Sequence, residues 1–199
     1  KSETLVTSSA SDPEGLVATS VVLHGDAVFF DTTSSFQRGI NVFTPTEGAQ
    51  PFIRWVGDAT RGARNFGTDG VDMVWSYGEG KAPTDTNYPT RSIMTAPYTA
   101  DPNAVDARRL RSHPHDGLGA FAWKVGCGYA AGAATGTAGI MVVRLADGWA
   151  WQLEHLSTMK LGHSLGVTCD ELFAWGSIDG IDNIARIKLD SLGPGIPPD

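Results

Sequence analysis

Four segments of the chain share the same order of residues, and this repetition constrains the fold more than any other feature. Each copy has an apolar run beside a glycine-rich turn, and a second apolar segment follows. The first runs are Ala27–Asp31, Asp72–Ser76, Tyr129–Gly132 and Leu172–Gly176. The second segments are Gly39–Pro45, Ser92–Pro97, Gly139–Leu145 and Asn183–Leu189. Copies recur every ~50 residues on average, which predicts an array of similar units.

Two further strands are predicted for each unit. The outer strands alternate polar and apolar residues, as expected where one face meets water, at Pro51–Trp55, Asp106–Leu110 and Trp149–Leu153. Stretches of small residues precede the apolar runs, at Gly117–Ala122 and Gly162–Val167. Small residues allow backbones to approach closely, so these stretches are predicted to be the innermost strands.

The stretch "TDGVDMVWSYGEG…RSIMTAPYTADP", residues 68–80 and 91–102, resembles the blades of TolB and related secreted bacterial proteins. The resemblance implies an all-β fold, a β-propeller built of four-stranded antiparallel blades, with four blade-like repeats in one domain, 1–199. The predicted repeats are approximately 16–57, 63–112, 117–157 and 161–193. The alternative is another array of antiparallel hairpins, such as a sandwich.

The fourth copy lacks an evident outer strand, because the proline- and glycine-rich segment 193–198 cannot donate a full hydrogen-bond ladder. The short β-prone segment Thr4–Thr7 is expected to pair with Asn183–Leu189 and close the ring. Alternatively, the chain forms four blades of a larger ring that a partner chain completes.

Charge and hydropathy exclude two classes of partner. The formal charge is −7 and the pI near 5.1, whereas duplex nucleic acid requires a basic face. The cluster Arg108–Arg111 is interpreted as a solvated strand edge. No stretch approaches the ~18 apolar residues of a membrane span, and the first four residues do not resemble a signal peptide.

Familiar catalytic motifs are absent from the sequence, and the most suggestive stretch is a histidine loop. His113, His115 and Asp116 lie in a predicted connection between the second and third copies, and His163 lies in the inner region of the fourth. Together they form the candidate ligand-binding site, which could hold a divalent metal or supply an acid and a base. The alternative is a polar turn whose histidines face solvent. His24 could also approach this site.

The acidic turn Asp179–Asn183 is better explained as a hairpin turn than as a calcium loop. Trp75 and Trp175 recur at matching positions and are predicted to pack between blades. Trp149 and Trp151 alternate on one strand face, which favours packing, with an exposed sugar-stacking platform as the alternative.

Cys127 and Cys169 both precede the apolar runs of neighbouring copies, so the repeat places them at corresponding turns. A disulfide between them is predicted, with two free buried thiols as the alternative. An even cysteine count agrees with an extracellular or periplasmic location.

Three hypotheses about function follow. The first is a non-catalytic module of a secreted or periplasmic protein that binds a protein or carbohydrate ligand. The second is a hydrolase or lyase with a histidine-based site. The third is a structural subunit or a fragment of a larger assembly.

Overall fold

A computed structural model describes residues 18–32, 39–54, 61–79, 90–114, 123–133, 139–153, 160–178 and 180–198. These residues form fifteen strands and two short 3-10 turns, at Pro102–Ala104 and Leu189–Ser191. The strands are β1 Ala18–His24, β2 Ala27–Thr32, β3 Gly39–Thr44, β4 Gly48–Arg54, β5 Arg61–Thr68, β6 Asp72–Glu79, β7 Thr90–Pro97, β8 Arg108–Pro114, β9 Lys124–Gly126, β10 Tyr129–Ala133, β11 Ile140–Arg144, β12 Ala150–Leu153, β13 Lys160–Val167, β14 Glu171–Ile178 and β15 Ile181–Lys188.

The strands form four antiparallel sheets that follow one another along the chain. Sheet 1 has the order β1-β2-β3-β4, sheet 2 β5-β6-β7-β8, sheet 3 β9-β10-β11-β12 and sheet 4 β13-β14-β15. The first strands lie side by side, with β1 against β5, β5 against β9 and β9 against β13. The predicted all-β fold of four blade-like repeats is confirmed.

Neighbouring sheets share an apolar core. Successive side chains of a strand point to opposite faces of its sheet, and the middle strands carry apolar side chains on both faces. Three such cores lie within the described residues. The core between sheets 1 and 2 includes Phe29, Val42, Phe66 and Trp75. The core between sheets 2 and 3 includes Val74, Ile93, Trp123 and Val143. The core between sheets 3 and 4 includes Ala131, Val142, Leu172 and Ala174.

The inner strands approach each other closely at two glycines, Gly67 and Gly126. Trp123 N donates to Asn65 O at 3.2 Å, and this contact joins β5 to the residue before β9. A Cβ on Gly67 would overlap the carbonyl oxygen of Trp123, and one on Gly126 would lie 2.6 Å from that of Val167. Backbone atoms cannot move aside as a flexible side chain can, so glycine is required at both positions.

Substituting Gly67→Ala should therefore separate sheets 2 and 3 locally and lower the free energy of unfolding by about 1–3 kcal/mol. Gly166→Ala is the matched control on an inner strand, since a Cβ there meets only Phe173 Cβ at 4.0 Å. Urea denaturation measures both variants. Equal stability of the two would contradict the close approach of β5 and residue 123.

The two tryptophans that the sequence treats as equivalent differ in the structure. Trp75 is buried between sheets 1 and 2 at 2% exposure, whereas Trp175 is 42% exposed. The prediction that Trp175 packs between the sheets of this chain is therefore wrong. Met73 opposes Thr68 across its hairpin, and Leu172 opposes Val167. The counterpart of Trp75 is thus Ala174, and a shift of one residue places Trp175 on the other face.

The segment 193–198 returns to sheet 3 rather than extending sheet 4. Ile196 and Ala150 exchange two backbone hydrogen bonds of 2.7 and 3.0 Å, beside the outer strand β12. Trp151 Nε1 donates to Gly193 O at 2.9 Å, and Gly195 packs against Trp149 and Trp151. These two half-buried tryptophans therefore pack against the chain's own tail, as the packing interpretation predicts.

One residue of the basic cluster is buried, so the interpretation of Arg108–Arg111 as a solvated edge holds only in part. Arg111 is 8% exposed, and its guanidinium donates to the carbonyls of Gly148 at 3.3 Å and Ile196 at 3.4 Å. Arg108 is exposed but donates to Leu145 O at 2.5 Å. Both arginines join sheet 2 to sheet 3 and its tail. Arg108 and Arg109 are exposed, as the sequence predicts, and Arg111 is not.

The segment Thr4–Thr7 lies outside the described residues, so its pairing with β15 stays a prediction. Within the described residues, β15 pairs with β14 alone. No helix there is long and apolar enough to cross a bilayer.

Candidate functional site

The turns of the four inner hairpins lie at one end of the array, called here the tip face. They are residues 25–26 between β1 and β2, 69–71 between β5 and β6, 127–128 between β9 and β10, and 168–170 between β13 and β14. Turn residues explain the geometry, since Gly25, Gly70 and Gly128 all adopt positive φ angles. The tip face therefore presents four loops on a rigid scaffold.

Two kinds of non-covalent contact join the first three tips. The His24 ring lies over Gly70 and meets the Tyr98 ring edge-on at 4.8 Å between centroids. Asp69 Oδ2 accepts from Cys127 N at 3.2 Å, while its Oδ1 accepts from the amides of Val71 and Asp72 at 2.9 Å. Sheet 2 is thus held to sheet 1 by ring packing and to sheet 3 by a charge-assisted hydrogen bond.

Two carboxylates, Asp69 and Asp72, interact in the second tip. Burial raises the pKa of Asp72, and the negative charge of Asp69 adds to the increase, while Arg108 opposes it. Asp69 accepts hydrogen bonds from three backbone amides, one of them that of Cys127. Asp69 rather than Asp72 therefore holds the neighbouring hairpin.

A disulfide joins the third and fourth tips. Cys127 and Cys169 are bonded, with 4.9 Å between their Cα atoms, and they lie at corresponding turns of sheets 3 and 4. The predicted bridge is confirmed. The covalent bond fixes the spacing of the two tips that border the cleft described next.

A cleft of about 470 Å³ opens on the tip face beside the disulfide. Sheet 4 supplies most of its walls. The lining residues are Tyr129, Cys169, Asp170, Glu171, Arg186, Lys188, Leu189 and Asp190. Both signs of charge are present, and Asp170, Lys188 and Asp190 are exposed to solvent.

One ion pair organises the wall of this cleft. Arg186 Nε donates to Glu171 Oε1 at 2.8 Å from the neighbouring strand, in a diagonal cross-strand arrangement. The hydrogen bond from Arg186 lowers the pKa of Glu171, and the same bond raises the pKa of Arg186. The Glu171 side chain is only 15% exposed. Its ion pair with Arg186 keeps the carboxylate ionised despite this burial and holds it in place.

A second ion pair lies near the opposite wall. Arg144 donates from Nε and an Nη to the two carboxylate oxygens of Asp147, at 2.9 and 2.6 Å, and the pKa of Asp147 is lowered chiefly by this bond. The Arg144 guanidinium also lies 5.7 Å from the centre of the Trp151 ring. Tyr129, which lines the cleft, has its ring 6.4 Å from that of Trp151.

The described residues that line this cleft carry mainly charged groups. Among them there is no histidine, serine or threonine, and the sulfur atom of Cys169 is held in the disulfide. The carboxylates and cations can bind charged groups of a ligand. In the described part of the chain, no three histidine, cysteine, aspartate or glutamate side chains are placed so that they could hold a metal ion together.

The structure gives a strand position to two of the histidine candidates. His113 lies on β8, opposite Arg91, at the end of sheet 2 away from the tips. It is therefore a strand residue, and its predicted position in a connection is wrong. His163 lies on β13 of sheet 4, where the pairing with β14 is irregular. His115 and Asp116 lie outside the described residues, as do the side chains of His113 and His163.

The cleft was not found from the sequence, although one signal points to it. Charged residues alternate with apolar ones along β15, which indicates an exposed strand face. Which carboxylate faces Arg186 depends on the register between β14 and β15, and no local pattern specifies that register.

Two solved structures align with most of this array of sheets. No family model and no curated protein matches the sequence. A prolyl endopeptidase structure aligns with 88% of this chain at a TM-score of 0.50 and 18% identity, and the chain spans 26% of its length. A puromycin hydrolase structure aligns with 94% of the chain and 39% of its own, at a TM-score of 0.44 and 12% identity. The sheet order and the likeness to the first structure identify the fold as that of β-propeller blades.

Proposed function

We propose that the chain is a non-catalytic protein-binding propeller module and that the tip-face cleft is its ligand site. The observation that carries the proposal is the lining of this cleft by charges of both signs on sheet 4, whose first turn a disulfide joins to sheet 3. Such a site binds through preformed geometry, so little conformational entropy is lost when a ligand enters.

A polypeptide fits the cleft better than a carbohydrate does. Exposed Lys188 offers an ammonium group to a ligand carboxylate, and exposed Asp170 and Asp190 offer carboxylates to a ligand cation. Sugar recognition commonly uses open aromatic faces, but Trp149 and Trp151 are packed against Gly195. The ligand is therefore a protein segment that carries acidic and basic side chains close together.

The proposal extends to location and kinship. The Cys127–Cys169 bridge supports an extracellular or periplasmic protein, because disulfides persist in oxidising compartments. The motif in residues 68–80 supports a place among TolB-like blades.

A peptide library tests the cleft directly. Phage-displayed 12-residue peptides selected on the wild-type protein should be enriched in mixed charge, and a selected peptide should bind less tightly as salt is added. Lys188→Glu and Asp170→Lys should each weaken that peptide at least tenfold, as measured by calorimetric titration. These variants leave the Glu171–Arg186 pair intact, so the cleft wall remains.

Arg109→Glu is the matched control, because Arg109 is an exposed strand arginine on sheet 2, away from the cleft. Its affinity for the selected peptide should equal that of the wild type. Failure to select any peptide, or equal losses in all three variants, would overturn the assignment of the ligand site.

A further inference from the structure

The array has an unfilled interface at each end. Every core in the described structure lies between the forward face of one sheet, which points toward the next sheet in the chain, and the back face of its successor. Among the described residues, four consecutive sheets make three such cores and leave the back face of sheet 1 and the forward face of sheet 4 without a core. No core cluster in the described residues combines side chains of these two sheets.

The back face of sheet 1 carries exposed apolar side chains. Val21 is 64% exposed and Leu23 71% exposed, although both lie within a paired strand. On the same face, Val28 opposes Leu23 and is half-buried, and Phe30 opposes Val21 and is buried. The side chain between them, Val22, packs into the core with sheet 2. Apolar residues on both faces of β1 indicate a strand that belongs between two sheets.

The forward face of sheet 4 also carries exposed apolar side chains. Trp175 is 42% exposed, and Ile184, directly opposite it on β15, is 71% exposed. Phe173 lies on the same face and is half-buried. The preceding and intervening residues, Leu172 and Ala174, are fully buried against sheet 3. Ser76, the counterpart of Trp175 in sheet 2, accepts a hydrogen bond from Trp123 of sheet 3. Trp175 therefore occupies a position from which a side chain contacts the following sheet.

We infer that a second copy of this chain fills both faces. In each core within the chain, a forward face packs against a back face. Each open face therefore requires a face of the other kind. The described part of one chain carries one unmatched face of each kind, so two copies placed head to tail pair all four of these faces with each other. The product is a two-fold ring of eight sheets, within the range of about 4–8 blades that propellers adopt. The ring does not require the ligand proposed for the cleft, although Glu171, Arg186 and Lys188 lie on the same forward face, nearer the tips, and border the second copy.

The mass of the chain in solution tests the inference. Sedimentation equilibrium of the full 199-residue chain should show a reversible dimer. A forward-face variant, Trp175→Glu with Ile184→Glu, and a back-face variant, Val21→Glu with Leu23→Glu, should each be monomeric. Circular dichroism should show that both variants keep the wild-type fold, because the four altered side chains are exposed in the single chain.

Mixing the two variants distinguishes this head-to-tail ring from other dimers. The intact forward face of one variant can still bind the intact back face of the other, so the equimolar mixture should form a heterodimer. Val71→Glu is the control, since Val71 is 71% exposed on the tip face and should leave the wild-type dimer unchanged. A monomeric wild type, a mixture that stays monomeric, or an open series of larger oligomers would each overturn the proposed ring.

Discussion

Replacing Cys127 and Cys169 together with serine should lower the free energy of unfolding by about 4 kcal/mol. The bridge closes a loop with a sequence separation of 42, and a cross-link over a loop of that length removes considerable entropy from the unfolded chain. The loss should exceed that of any single surface substitution. Chemical denaturation of the oxidised wild type and of the double variant measures it.

Reductant supplies the control for this prediction. Dithiothreitol should reduce the stability of the wild type to that of the double-serine variant and should leave the variant unaffected. If the oxidised and reduced wild-type proteins unfold at the same denaturant concentration, the bridge contributes nothing and the prediction is wrong.

Trp75→Ala should lower the free energy of unfolding by about 3–5 kcal/mol. The indole is 2% exposed within the core that sheets 1 and 2 share. Neighbouring side chains such as Phe29 and Phe66 are themselves fully buried and packed, with ring centroids 4.6 Å apart, so they cannot collapse into the space left behind. Thermal and urea unfolding of the variant measure the effect.

Trp175→Ala is the matched comparison, because it removes the same side chain from an exposed site. At a protein concentration low enough to keep the chain monomeric, we expect a loss of less than about 1 kcal/mol. Similar losses in the two variants would contradict the assignment of Trp175 to an open face.

The contrast between these tryptophans shows where sequence reasoning succeeds. Hairpins could be predicted because turn glycines and alternating residues are local signals, and the sheets follow the predicted order. The inner strand predicted at Gly117–Ala122 lies outside the described residues, and the inner strand of sheet 3 is Lys124–Gly126. The face that a residue occupies depends on register, which one position can invert. Trp75 and Trp175 look equivalent by spacing, yet the pairing of Leu172 with Val167 makes Ala174 the true counterpart.

The candidate site, too, could be predicted from the sequence only in part. The disulfide was predictable, since the repeat places Cys127 and Cys169 at corresponding turns. The cleft was not, because it depends on a diagonal contact between Glu171 and Arg186 and on the turn that follows β15. The histidine motif was predicted to lie in a connection between two copies, but β8 extends through His113 to Pro114.

The tail that joins sheet 3 has a consequence for synthesis on the ribosome. In a simple array, each sheet can form as soon as its own strands emerge, because contacts are made between neighbours. Here Ala150 obtains its outer partner from Ile196, after the whole of sheet 4 has been made. Cys127 likewise waits for Cys169. The second half of the chain must therefore complete its folding as one unit, whereas sheets 1 and 2 can form while translation continues.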